Sequence, residues 1–207
     1  MFENFERKFR QDASSTTSAG AELFTNAESY GLSDLFERYA GATFESGLYR
    51  VITPEIGRLA EEFIREAFLR YEHKIASFAT DWLGRIFCVD STRKEGDQMA
   101  ILMLEPGTGE ALEIPANLMS FHEEELIEYA NAALAQEWYR EWLSAGGQAP
   151  RFDECIGYRK LLFLGGKDIS ENLERVDLDV YWTISAQLIR KTRELPHGTR
   201  IGKISGQ

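Results

Sequence analysis

The three histidines are the first candidates for chemistry, but their spacing does not favour a metal site or an acid-base pair. His73, His122 and His197 lie far apart, and none has a metal-binding partner four residues away. The run Glu123–Glu125 follows His122 directly and could bind a metal weakly. Acidic side chains in the first turn of a helix stabilise its N-terminus, which explains the run more simply. We therefore expect neither a metal nor another cofactor.

A second group of reactive side chains is a cluster of carboxylates near the C-terminal end of the chain. The cluster, called the acidic set below, consists of Asp168, Glu171, Glu174, Asp177 and Asp179. Catalytic carboxylates need burial or like-charge crowding to shift their pKa values, and a polar loop provides neither. Asp177 and Asp179 also suit the N-cap of a following helix. The chain has no nucleophile elbow, phosphate-binding loop or dinucleotide-binding motif, so we expect no catalysis.

The composition is that of an ordinary globular protein with an acidic surface. The 207 residues are 43% hydrophobic and 28% charged, and 34 acidic against 23 basic residues give a net charge of -11. This charge repels a phosphate backbone, so direct nucleic-acid binding is disfavoured. It suits a basic protein partner instead, because complementary fields speed encounter. The simpler alternative is that the acidity only keeps the protein soluble.

The sequence shows neither a secretion signal nor a membrane span. Charged residues interrupt the apolar residues of the N-terminus, and no run of about 18 apolar residues occurs. Cys88 and Cys155 lie in apolar segments without CxxC spacing, which indicates buried thiols in a reducing compartment. We therefore expect a cytoplasmic protein that has no contact with a membrane.

Capping and turn signals predict the elements that position these residues. The N-terminal segment is amphipathic and is followed by a small, polar link at 12–20. Later helices are predicted to begin at Ser33, Thr53, Ser120 and about Leu178. Hairpin turns are predicted at 81–84 and 106–109. Together they predict an α+β fold with a mainly antiparallel sheet of about 4–6 strands and helices packed around it.

The C-terminal part is predicted to contain a strand, a turn, an acidic loop and a helix. The apolar run 158–164 stops at the glycine pair 165–166, as a buried strand does. The acidic loop then extends over 167–179. Val180, Ile184 and Leu188 follow at four-residue spacing, which predicts that they lie on the helix face that packs against the core.

Six short segments of this part resemble a known protein family. They are Cys155–Tyr158 (CIGY), Leu162–Asp168 (LFLGGKD), Glu171–Glu174 (ENLE), Asp177–Trp182 (DLDVYW), Gln187–Leu188 (QL) and Leu195–Ile201 (LPHGTRI). In order and spacing they are similar to the C-terminal domain of type VI secretion DNase-immunity proteins, the Tdi-type family. Upstream, Leu32–Tyr39 (LSDLFERY) and Gly47–Arg50 (GLYR) resemble the GAD-like domain that usually precedes it.

The resemblance also implies how the chain is divided. Residues 1–30 are expected to form an N-terminal helix and a flexible extension, 31–115 the GAD-like region, and 116–207 the Tdi-type immunity region. We expect the last two regions to pack as one continuous unit. A chain with two lobes, divided near residues 115 to 150, is the alternative.

A non-catalytic antitoxin is the function that the resemblance implies. It would bind and neutralise a secreted DNase in the cytoplasm of a Gram-negative bacterium; the alternative is a regulatory or scaffold module with another protein partner. The family provides no motif for the contact residues, so their choice rests on charge, because a nuclease has a basic DNA-binding surface. The expected contacts are the acidic set, with a second patch at Glu123, Glu124 and Glu125.

Overall fold

A six-stranded antiparallel sheet is the framework of the fold. The computed structural model describes residues 2–12, 31–193 and 195, so most of the expected link at 12–20 lies outside the described residues. Each strand pairs with the next one along the chain. The strands are β1 (Thr43–Phe44), β2 (Tyr49–Val51), β3 (Ile75–Asp81), β4 (Ile86–Glu95), β5 (Gln98–Glu105) and β6 (Glu110–Asn117). The predicted α+β class is confirmed.

The turns between the long strands lie where the sequence predicts them. Residues 82–85 join β3 to β4, and residues 106–109 join β5 to β6. The Asp81 carboxylate closes the first turn, because it accepts hydrogen bonds from the N–H groups of Leu83 and Arg85 at 3.0 Å each. Gly109 ends the second turn with a φ of +72°, a left-handed conformation that favours glycine. Local turn chemistry therefore directs the pairing of neighbouring strands.

Helices flank the sheet before β1, between β2 and β3, and after β6. They are α1 (Glu3–Lys8), α2 (Ser33–Tyr39), α3 (Pro54–Ala67), α4 (Leu118–Ser120), α5 (Leu126–Glu128), α6 (Ala130–Leu134) and α7 (Gln136–Ser144), with a π-helical turn at Phe121–Glu125. Thr53 caps α3 as predicted, since its hydroxyl accepts from the N–H of Ile56 at 3.3 Å. The later capping box joins Asn117 to Ser120, three residues before the predicted one, because asparagine also caps helices well. No helix within the described ranges is long and apolar enough to cross a membrane.

The C-terminal hairpin differs from its prediction. It pairs two antiparallel strands, β7 (Glu154–Tyr158) and β8 (Leu173–Asp177). The predicted strand at 158–164 is wrong, because Leu162–Leu164 forms a single 3-10 turn. The apolar side chains of this turn are partly buried against the core. The turn lies on the β5–β6 turn, where the N–H of Leu162 donates to the carbonyl of Gly107 at 2.8 Å. The acidic loop predicted at 167–179 is also too long, since it ends where β8 begins.

The last helix, α8 (Leu178–Thr192), begins at the predicted residue but packs a different face against the core. Val180 and Ile184, predicted to be buried, are 47% and 51% exposed. The buried side chains are instead Leu178, Tyr181, Trp182, Ser185, Ala186 and Ile189. Both faces of α8 carry apolar residues, and the face with the two aromatic rings buries more area. Spacing alone could not decide between the two faces, so this prediction is wrong.

A buried arginine joins the C-terminal hairpin to the sheet. Arg50 in β2 is 1% exposed. Its guanidinium donates to the carbonyl oxygens of Arg151 and Phe152 at 2.9 and 3.2 Å, and to that of Asp81 at 2.5 Å. Residues of both expected regions also share one cluster of buried apolar side chains. The bounds of the expected regions themselves stay a prediction.

Candidate partner-binding surfaces

The loop between β7 and β8 is held in one shape by Asn172. Its side-chain oxygen accepts from the N–H of Lys160 at 3.1 Å, and its amide nitrogen donates to the carbonyls of Lys160 and Lys167 at 2.9 and 2.8 Å. The N–H of Arg159 donates to the Asn172 carbonyl at 2.8 Å. We call β7, this loop (159–172), β8 and α8 together the C-terminal unit. It presents its acidic residues from an ordered support.

Asp168 is anchored to the body of the protein by a tyrosine. The Tyr158 hydroxyl donates to the Asp168 carboxylate at 2.7 Å. Burial, and then the hydrogen bond to Asp168, raise the pKa of Tyr158, so this hydroxyl keeps its proton. The Tyr158 ring lies against Gly107, where a Cβ would meet the ring at 2.6 Å. Asp168 is therefore exposed at the surface but fixed in position.

Three charged side chains form a buried ionic joint that connects β3, the β3–β4 turn and the end of β5. Asp81, Arg85 and Glu105 are 0%, 6% and 8% exposed. The Arg85 guanidinium contacts the Asp81 carboxylate at 2.6 Å through Nε and 2.5 Å through Nη2, and its Nε lies 3.8 Å from the Glu105 carboxylate. The N–H of Gly107 donates to Glu105 at 3.0 Å.

The environment of this joint shifts the titration of Glu105. Burial, which Asp81 reinforces and Arg85 opposes, raises the pKa of the Glu105 carboxyl to about 7. A raised carboxyl pKa is one mark of a general acid, but this group is almost inaccessible to a substrate. The joint therefore fits a structural role. The sequence analysis missed it, although Asp81 and Arg85 bracket a predicted turn, because the sheet alone brings Glu105 to them.

The structure leaves all five members of the acidic set exposed but does not gather them on one face. Glu174 forms an ion pair with Arg159 at 3.5 Å, and Asp177 caps α8 by accepting from the N–H of Val180 at 3.1 Å. These two acids lie three positions apart on β8, so their side chains point to opposite faces of the hairpin. Asp179 accepts from the Thr183 hydroxyl at 3.2 Å.

Glu171 differs from the other members of the acidic set. It lies at the surface in the 3-10 turn just before β8 and makes no hydrogen bond or ion pair with another described residue. The structure thus distributes the acidic set around the C-terminal unit. Glu171 and Glu174 contribute least to the hydrogen bonds that stabilise this unit. A role of the set in binding stays a prediction.

The histidine that precedes the second patch belongs to the interior. His122 is fully buried, and burial lowers its pKa to about 4. Its Nδ1 donates to the Leu118 carbonyl at 2.8 Å, and its Nε2 accepts from the Tyr49 hydroxyl at 2.9 Å, so both nitrogens of the neutral ring are bonded. Glu123 accepts from the N–H of Asn4 at 3.2 Å and thereby holds α1.

The other two glutamates of this patch differ in accessibility. Glu124 is exposed, whereas Glu125 is partly buried. Burial, and then the charge of Glu128, raise the pKa of the Glu125 carboxyl. Of these three glutamates only Glu124 is exposed. Contacts of this patch with a toxin stay a prediction.

The protein is of the α+β class, and its C-terminal hairpin and helix pack against a six-stranded antiparallel sheet. Residues 116–189 match the family model for the C-terminal region of the T6SS immunity protein Tdi1. The resemblance recognised in the C-terminal segments is therefore confirmed over these residues. The family supports an immunity role. The resemblance of the upstream segments to a GAD-like domain stays a prediction.

Solved structures support the fold over nearly the whole chain. The protein is similar to Atu4351 from Agrobacterium tumefaciens, with a TM-score of 0.57 and 15% sequence identity. The similarity covers 90% of this chain and 89% of Atu4351. At this identity it shows a shared fold. No curated protein sequence matches the chain significantly.

Proposed function

We propose that this protein is an immunity protein that binds and neutralises a cognate type VI secretion effector, a DNase, in the cytoplasm of the bacterium that produces both. The family match over residues 116–189 is the observation that carries this proposal. Burial raises the pKa values of the thiols of Cys88 and Cys155, which agrees with unreactive side chains in a reducing compartment.

The charge of the protein supports a nuclease as the partner. A DNase needs a basic surface to hold DNA, and a protein with a net charge of -11 is attracted to that surface. The C-terminal unit presents exposed carboxylates on a loop that Asn172 closes and on a helix that packs on the core. Such preorganisation reduces the entropy lost on binding. We infer that the acidic set competes with DNA for the basic surface of the nuclease.

Coexpression tests the immunity role directly. A candidate effector, taken from the open reading frame beside this gene, is expressed in a heterologous host with and without this protein. We expect that the effector alone degrades the chromosome and stops growth, and that coexpression restores growth. Pull-down with a catalytically inactive effector should recover a stable complex. If growth is not restored although both proteins are present, the immunity role is wrong and a scaffold with another partner becomes the better account.

Charge reversal tests the contribution of the acidic set. Glu171→Lys with Glu174→Lys changes two exposed acids without removing the cap of α8 or the Tyr158–Asp168 hydrogen bond. Glu61→Lys with Glu62→Lys in α3 makes the same change in net charge at another exposed site and is the matched control. We expect the first pair to slow association with the effector by about tenfold or more at low salt, and the control pair to slow it less. Equal effects of the two pairs would exclude a local role of these acids.

A further inference from the structure

The outer face of α8 carries a regular stripe of exposed side chains. The stripe begins at the N-cap residue Asp177, whose carboxylate also accepts from the N–H of Val180 at 3.1 Å. Within α8 it consists of Val180, Ile184, Gln187 and Lys191. Counted from Asp177, the intervals are three, four, three and four residues, the pattern that places side chains along one side of a helix and forms the seam of a helix pair. All five are exposed, and Val180 and Ile184 are 47% and 51% accessible. No other described segment covers this stripe.

The orientation of the stripe is fixed by the opposite face of α8. Trp182 is 1% exposed and donates from Nε1 to the Gly84 carbonyl at 2.8 Å. Arg190 forms an ion pair with Glu66 of α3 at 3.3 Å, and Arg193 donates to the carbonyls of Glu66 and Ala67. The helix is therefore held at both its middle and its C-terminal end. A partner would meet a preformed surface.

The order of charges along the stripe makes it complementary to itself. Asp177 lies seven residues before Ile184, and Lys191 lies seven residues after it. A two-fold axis through Ile184 would place each aspartate beside the lysine of the other copy. Ile184 would meet its own copy, and Val180 would lie beside Gln187. Antiparallel pairing would also bring the helix dipoles into a favourable arrangement.

We propose that a second copy of this chain docks antiparallel on the outer face of α8. Charge complementarity under the two-fold axis favours this occupant over a basic effector surface, because Lys191 would repel a basic partner. One stripe of five side chains buries less than the roughly 1,200 Å² of a stable interface, so the dimer is weak and depends on concentration. The proposal does not depend on the identity of the effector.

Disulfide trapping tests this arrangement, because Ile184 lies on the proposed axis. We expect Ile184→Cys to form a disulfide-linked dimer under mild oxidation. Both native cysteines are 0% exposed, so the background should be low. Glu62→Cys, on the exposed side of α3, is the matched control and should cross-link much less. Equal cross-linking of the two variants would overturn the proposal.

Sedimentation equilibrium provides an independent measurement without an engineered cysteine. We expect the mean mass of the unmodified protein to rise with concentration, and Ile184→Glu to remain a monomer with an unchanged circular dichroism spectrum. Lys191→Glu, which places an acid beside Asp177 of the other copy, should weaken the dimer by about fivefold. If the unmodified protein stays monomeric and Ile184→Glu abolishes effector binding instead, the stripe binds the effector and the dimer is wrong.

Discussion

The aromatic cluster around Phe5 of α1 and the ionic joint near the C-terminal unit are both buried, but the first is held by apolar rings and the second by charges. In the first, Phe5 is fully buried, and its ring lies 4.9 Å from that of Phe44 and 5.2 Å from that of His122. The ring of His122 stays neutral in this cluster, because burial lowers its pKa. In the second, Asp81 and Arg85 remain paired charges with almost no access to solvent.

The difference shows which parts of the protein are free to bind partners. An aromatic cluster gains stability from area alone, whereas a buried ion pair depends on both partners and fails when one is removed. Because packing on α3, Arg50 and the loop hydrogen bonds hold the C-terminal unit from inside, its outer side chains contribute little to folding. These outer side chains can therefore be used for recognition.

Removal of one partner of the ionic joint should have the largest effect. Arg85→Ala removes the cation that lies between the buried carboxylates of Asp81 and Glu105, and we expect a loss of about 3–5 kcal/mol in the free energy of unfolding. Arg151→Ala is the matched control. The Arg151 side chain forms ion pairs but is 71% exposed, so its removal should cost less than about 1 kcal/mol. Urea denaturation measures both. Similar losses would mean that burial of the joint is unimportant.

His122 should make stability fall at low pH. Its pKa is lowered to about 4 in the folded protein, below the ordinary value of 6.5, so the unfolded chain binds the proton first as pH falls. The free energy of unfolding should therefore decrease between about pH 6.5 and pH 4, by up to about 3 kcal/mol. This slope should disappear in His122→Asn, which urea denaturation across the pH range would show. A variant that retains the slope would assign it to other groups.

Glu105 should produce a slope of similar size and opposite sign. Its folded pKa is raised to about 7 from 4.5, so the folded protein keeps a proton that the unfolded chain has lost. The contribution of this group to stability therefore declines as pH rises from about 4.5 to 7, by up to about 3 kcal/mol. Glu105→Gln removes this decline. When the free energy of unfolding is measured against pH, the variant should therefore show the low-pH loss due to His122 more clearly than the unmodified protein does. Identical profiles of the two proteins would contradict this.

Truncation on the outer face of α8 should have the smallest effect. We expect Ile184→Ala to change the free energy of unfolding by less than about 0.5 kcal/mol, since the side chain is 51% exposed. Ile189→Ala on the inner face of the same helix should cost about 2–5 kcal/mol, since that residue is 7% exposed. Thermal melting of the two variants checks the contrast. A large loss for Ile184→Ala would show that the outer face is part of the folding core.

Local signals explain which parts of the fold could be predicted. The caps and turns at Thr53, 81–84 and 106–109 depend on neighbours within a few residues, and the structure has them where the sequence places them. The run 158–164 is apolar because it packs on Gly107, a contact about fifty residues away that no local pattern contains. The exposure of Val180 and Ile184 likewise follows from where α3 and the hairpin contact α8.

The candidate binding surface was predictable in composition but not in arrangement. Charge alone indicated the exposed acids of the C-terminal unit, and all five are at the surface. The acids are separated because Glu174 and Asp177 lie in a strand, β8, whose side chains alternate between two faces. The sequence analysis predicted a loop there and therefore missed this separation. The ionic joint also escaped prediction, because pairing of β4 with β5 brings Arg85 and Glu105 together.

Inhibition of the effector in a purified system tests the proposed function most directly. The effector identified by coexpression is incubated with plasmid DNA and increasing amounts of this protein. We predict that cleavage stops when the two proteins reach equal amounts, and that Glu171→Lys with Glu174→Lys shifts inhibition to higher concentration, more so at low salt. Undiminished cleavage with this protein in large excess would contradict the account.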